Sequence, residues 1–279
     1  MRACRFSYLL LILFAAVIAP ERAKCASRRR IAALNVSLQP VFTIANAAIQ
    51  GNLRTRYDWA RCLRSGSVAG LGFYEAKLLA GNGHTIQALA IANIASSITR
   101  NTAEGRPALA RLGIAAGPLW VDVSTPLDKD RVAPVHLQLS ASEMVAFALT
   151  WRQNDRIILR DGLISFSKTG RYNYDDRNFT GYTVGMFSGT TLDATQETWH
   201  HETVHAIQSI QADSVEPPAC AWLRRPCKAS RRRLGFMTWE PLHLGIIPAA
   251  GGGLLSQQDY TRRWTEIEAT WLAERHAPE

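Results

Sequence analysis

Apolar residues follow two different rhythms along this chain, and the point where the rhythm changes divides it. Residues 47–101 are rich in Ala, Gly, Ile and Leu, and Gly66 and the Gly81-Asn82-Gly83 turn bracket two predicted helices, about 67–80 and 84–99. Small residues would let these helices pack closely. Both are short and punctuated for ordinary membrane spans, so a buried core hairpin is the first expectation and a membrane-associated hairpin the alternative. After Pro118 apolar and polar positions alternate. Stretches 119–123, 135–139, 156–160 and 163–167 are predicted strands between Gly, Pro, Asp and Asn turns, with a further one at 182–187. Residues 194–213 then run without Pro or Gly, with Asp193 or Thr195 available as a helix cap. A last helix, about 259–275, is opened by Ser256-x-x-Asp259. The pattern predicts an α+β fold with a helical N-terminal region, an antiparallel sheet and two further helices.

With 279 residues and 47% hydrophobic content, the chain can bury a sizeable core. Arg2 and Arg5 precede an apolar run over residues 8–19, the charge order and length of a secretory leader rather than a full span. The expectation is export to the periplasm or cell envelope, with residues 1–25 either cleaved or kept as an N-terminal anchor. Removing them takes away four Lys/Arg and one Glu and lowers the net charge from +9 to +6. Much of the remaining charge lies at Arg224, Arg225, Lys228, Arg231, Arg232 and Arg233. This cluster suits contact with a membrane or another anionic envelope surface, or simply solvation; export argues against a nucleic-acid partner. Cys220 and Cys227 are spaced to close a short disulfide loop, which would leave Cys62 unpaired. The expected organisation is a leader or anchor at 1–25, a helical region at 26–115, and a sheet with a catalytic region at 116–279.

The most specific chemistry lies at His201-Glu202-Thr203-Val204-His205, a His-Glu-x-x-His pattern. A chain with seven histidines would show it by accident on the order of one time in a hundred. On a helix, residues four apart share a face, so His201 and His205 can turn both imidazoles onto one zinc ion. Between them Glu202 can act as general base toward a zinc-activated water, which is hydrolytic machinery. His200 cannot be the first histidine of the pattern, because His201 follows it.

A catalytic zinc usually has three protein ligands and an open position. Gln208 and Gln211 stand where a metzincin would carry Gly and His, so the third ligand must come from elsewhere. On the last predicted helix, at about 100° per residue, Glu268 falls on the apolar face with Tyr260, Trp264, Ile267 and Trp271. Glu266 falls roughly 200° from Trp264, among solvent-facing positions, and Glu274 lies near the chain end. A carboxylate on an apolar face needs a neutralising cation, which zinc or a salt bridge to an arginine would supply.

His-Glu-x-x-His-x-x-Gln followed some sixty residues later by Glu268-Ala269 in a helix resembles the bacterial gluzincin-type metallopeptidase domains. The likeness covers about residues 195–275. It implies a zincin-like fold with one Zn2+ on His201, His205 and Glu268, Glu202 as general base, and a peptide or protein substrate. Gln208 also fits the pattern, with no more than a supporting hydrogen bond expected of it. His243 and Tyr260 are candidates to stabilise an oxyanion. The leading expectation is an exported zinc metallopeptidase. Its alternatives are a zincin-shaped envelope protein that binds without turnover, and a hydrolase of a non-peptide amide such as a cell-wall cross-link.

Overall fold

The computed structural model describes residues 28–129, 134–174, 177–214, 237–240 and 264–274. The expected leader, the 224–233 cluster and Cys220 with Cys227 lie outside the described residues, and so do His243, Tyr260 and the predicted cap at residues 256–259.

Three helices open the described chain: α1 (Arg28–Ile49), α2 (Arg56–Gly81) and α3 (Thr85–Ala103). The expected start of α2 after Gly66 is corrected by eleven residues. Thr55 Oγ1 accepts the Asp58 amide at 3.3 Å and Asp58 Oδ2 accepts the Thr55 amide at 2.8 Å. This reciprocal capping box satisfies the first free amides and nucleates the helix at Arg56. Gly66 lies inside α2, where α1 crosses it.

The two four-stranded sheets are mixed rather than purely antiparallel, because each contains one parallel pairing. In the first, β1 (Arg111–Ala116), β2 (Leu119–Ser124) and β3 (Val135–Ser140) pair antiparallel, and β10 (Met237–Glu240) lies parallel to β3. Helix α4 (Ala141–Arg152) leads to the second, which has the order β4-β5-β9-β8. Here β4 (Arg156–Arg160) is antiparallel to β5 (Leu163–Lys168), and β5 is parallel to β9 (Phe187–Thr191). A small ladder of β6 (Tyr172–Tyr174) and β7 (Arg177–Phe179) stands apart. The single strand expected at 182–187 is two strands. Gly185 adopts φ +60°, and the two-residue turn Gly185-Met186 folds β8 (Gly181–Val184) back on β9. That turn leaves β8 at an edge of the sheet.

Two helices complete the described fold, α5 (Gln196–Asp213) and α6 (Trp264–Glu274). Thr195 caps α5 by accepting the Thr198 amide at 3.2 Å. One core joins both halves of the chain: Phe73 of α2, Ala92 of α3, Trp120 of β2, Val204 and Ile207 of α5 and Leu272 of α6 are buried together. A boundary near residue 115 therefore divides the chain but not the core. Phe147, Phe166 and Phe187 pack edge to face with centroids 5.4–6.1 Å apart and seat α4 on the second sheet.

Candidate metal centre

Helix α5 is anchored on its apolar side by Val204, Ile207 and Ile210. Trp199 is buried, with the Arg160 guanidinium 4.6 Å above its ring. This packing turns His201 and His205 the other way. Their rings lie one helical turn apart with centroids at 4.7 Å, and the two Nε2 atoms are separated by 3.0 Å. His200 points elsewhere, against the Gly83 turn.

The third group comes from α6, as expected, but it is a different carboxylate. Glu266 Oε2 is 3.3 Å from His201 Nε2, and its Oε1 is 3.3 Å from His205 Nε2. The expectation that Glu266 faces solvent is corrected, since it is buried. Glu268 as the third ligand is corrected too. Its carboxylate accepts from Lys77 Nζ at 2.9 Å, Asn35 Nδ2 at 2.7 Å and Gln208 Nε2 at 2.8 Å. It is thus in a buried salt bridge, with a lysine where an arginine was the sequence-based alternative. Helix α6 is gripped by α5 and by α2, so it buries two faces, and a single apolar stripe cannot choose between them.

Glu268 nonetheless reaches the imidazoles. Because its oxygens only accept, Gln208 must present its amide NH2 to Glu268 and its carbonyl Oε1 to His205 Nδ1, 2.7 Å away. His205 therefore carries hydrogen on Nδ1 and directs Nε2 at the centre, the arrangement a metal-binding histidine needs. Lys77 and Asn35 hold the far end of this chain of bonds. Nothing in the linear spacing connects residues 35, 77, 208 and 268.

Two ring nitrogens 3.0 Å apart repel unless a proton or cation lies between them. A tetrahedral zinc with bonds of about 2.0–2.1 Å sets its ligand atoms about 3.3–3.4 Å apart, close to the observed separations. His201, His205 and Glu266 each offer one ligand atom, all within 4.8 Å of one another, and two imidazoles with a carboxylate suit zinc. The imidazoles remain 21% and 13% exposed, which keeps a side open.

The charges agree with a cation site. Burial opposes charge on His205, but the hydrogen bond and negative charge of Glu266, aided by Glu202 and Gln208, raise its pKa to about 9. Burial likewise opposes ionisation of Glu266, yet the bonds from His201 and His205 hold its carboxyl well below the usual range. Burial raises the carboxyl of Glu202, partly offset by His205, His201 and the Thr183 hydroxyl. Thr183 Oγ1 donates to Glu202 Oε2 at 2.7 Å, which leaves Oε1 for other work. Gly181 makes this approach possible: a Cβ there would come 2.9 Å from Glu202 Oε1 and 2.7 Å from Thr198 Cγ2.

Thr183, together with Tyr172 and Tyr182, escaped the reading of the sequence. The tyrosine rings stack edge to face at 4.7 Å, and both hydroxyls meet Asn154. Burial holds them neutral, with Tyr182 pushed up to about 12 and Tyr172 higher still; the Glu202 charge adds to both. Their only sequence signal was position on strands just before the His-Glu-x-x-His helix. Comparison of the chain with protein-family models, curated proteins and solved structures finds no match in any of the three.

Proposed function

We propose that the protein is an exported zinc-dependent hydrolase, a metallopeptidase acting on peptide or protein chains in the cell envelope. One zinc ion is held by His201, His205 and Glu266. The convergence of those three groups from two helices carries the reading. When bound, zinc supplies Lewis-acid polarisation of a carbonyl and lowers the pKa of water.

The chain's own residues perform the rest. Glu202 takes a proton at Oε1 and returns it to the departing amine, while Thr183 holds Oε2 and fixes the carboxylate plane. Its raised pKa brings the carboxylate closer to that of an efficient base near neutrality. Gln208 orients His205, with Glu268 behind it. Edge strand β8 supports a peptide as substrate: an extended chain added to it would pass beside Thr183 and Glu202.

The test is zinc content by elemental analysis of wild type, His205→Ala, Glu266→Ala and Glu268→Gln. The expected result is one equivalent in wild type and in Glu268→Gln, and none in the other two. Zinc kept by Glu266→Ala would defeat the ligand assignment. Hydrolysis of casein, denatured protein and peptidoglycan fragments is then compared with Glu202→Gln, where a loss of about 10²–10⁴-fold is expected. Equal turnover by that variant would remove Glu202 as the base.

A further inference from the structure

Helix α1 turns a polar stripe inward, and α2 and α3, whose inner sides join the apolar core, also show aliphatic residues outward. Along α1, Asn35, Gln39, Thr43 and Asn46 recur at helical spacing and are all buried. Each is engaged: Gln39 Nε2 donates to Thr99 Oγ1 at 2.9 Å and Ser214 Oγ at 2.8 Å, Asn46 donates to the Ser214 carbonyl at 3.1 Å, and Thr43 donates to the Gln39 carbonyl at 2.8 Å. Asn35 joins the Glu268 cluster. Helix α3 likewise buries Asn93, Ser96 and Thr99. Outward positions carry Leu63, Val68 and Leu71 on α2 (49–59% exposed) and Ile86 and Ile94 on α3. A helix facing water normally shows the reverse order.

Charge is sparse over α1 and α3, while α2 carries an exposed Glu75 one turn beyond Leu71. No charged residue occurs between Arg30 and Arg54, nor between Lys77 and Arg100. The stretch Ile31–Ile49 has mean hydropathy 1.3 over 19 residues, about 28 Å of helix, close to the thickness of a bilayer's hydrocarbon core. Helices α1 and α2 meet through small residues, the packing that works where lipid surrounds both. A Cβ on Gly66 would come 2.5 Å from Pro40 Cα, and one on Gly70 would come 2.4 Å from the Asn35 carbonyl oxygen.

At the α1–α2 turn the surface changes character. Arg54, Arg56 and Arg64 are exposed beside Tyr57 and Trp59, and the Arg56 guanidinium lies 5.3 Å over the Tyr57 ring. The nearby acid, Asp58, is occupied by the Thr55 cap and Arg61. Aromatic rings and arginines at the end of an apolar surface match the boundary between acyl chains and anionic headgroups.

We propose that the outer faces of α1 and α2 are embedded in the acyl chains of a phospholipid bilayer, with Arg54, Arg56 and Arg64 on its anionic headgroups. The inference is independent of the metal-site reading. A second copy of the chain is a poorer occupant, because three mutually packed helices turn their outer faces in different directions and one dimer patch would cover only part of them.

The test places a benzophenone photocrosslinker in the full-length chain at Val68, at Leu71 or, as control, at exposed Glu197 of α5, in vesicles of phosphatidylethanolamine and phosphatidylglycerol with radiolabelled phospholipid. The expected result is a lipid adduct from positions 68 and 71 and background from 197. The readout is specific to position, so attachment through residues 1–25 alone would leave 68 and 71 at background and overturn the proposal. A crosslink of doubled chain mass in place of lipid would also overturn it. Replacing phosphatidylglycerol with phosphatidylcholine should lower the yield; an unchanged yield would overturn the headgroup assignment. The same result is expected for His205→Ala, whose failure to bind zinc leaves this surface untouched.

Discussion

Two clusters sit back to back on α6, one around Glu266 and one around Glu268, and they solve the problem of a buried carboxylate differently. Glu268 is closed off: Lys77 offsets its charge, and Asn35 and Gln208 donate to its two oxygens. Glu266 faces two partly exposed imidazoles that carry a compensating charge only when protonated. A lysine held at 2.9 Å from the carboxylate makes a fixed structural pair. An exchangeable proton makes a place that a metal can take over. Gln208 links the two, so the sealed cluster sets the direction of His205 in the open one.

Breaking the sealed cluster should produce the largest effect. Lys77→Met leaves the Glu268 carboxylate buried without its cation, and unfolding in urea should show a loss of about 3–5 kcal/mol. Lys77→Met with Glu268→Leu should recover most of that loss; no recovery would mean that the pair is not coupled. Glu266→Gln should cost the metal-free protein less, because the histidines left behind can release their proton, whereas Lys77→Met leaves a buried carboxylate with no cation.

The link comes next in size. Gln208→Leu removes the acceptor at His205 Nδ1, and zinc affinity should fall about 10–100-fold by chelator competition. A change under twofold would show that His205 needs no partner to hold its tautomer.

The smallest effect is on pH dependence, and its sign follows from His205. Its pKa is raised from 6.5 to about 9, so its contribution to the stability of the metal-free protein is full below about pH 6.5 and lost as pH rises through about 9. Zinc competes with the same proton. Its affinity should therefore rise over this window, by up to about tenfold per pH unit, with one proton released per zinc near pH 7. Calorimetry in buffers of differing ionisation enthalpy counts that proton. The Glu266→Gln variant should flatten both trends.

Much of the site was legible as a string. His201, Glu202 and His205 lie within one turn and a half of the same helix, so local geometry alone brings them together. Thr195 as the cap and the unbroken run after it were equally local. The same was true of four of the strands, each carried by its own alternation. The start of α2 has a local signal too: Thr55 and Asp58 form the capping box, although Gly66 is the more conspicuous residue in the string. Gly66 instead marks where another helix crosses.

By itself, the sequence determined the His-Glu-x-x-His helix, the α+β class and the helix that brings a carboxylate to the two imidazoles. Each depends on residues a few positions apart, where helical or strand periodicity dictates who faces whom. Only the tertiary structure decided that Glu266 meets the imidazoles while Glu268 meets Lys77. It also decided that Thr183 holds Glu202, and that α1 turns its amides inward. Those outcomes depend on which neighbours grip each face of a helix, and no periodicity within one segment carries that information.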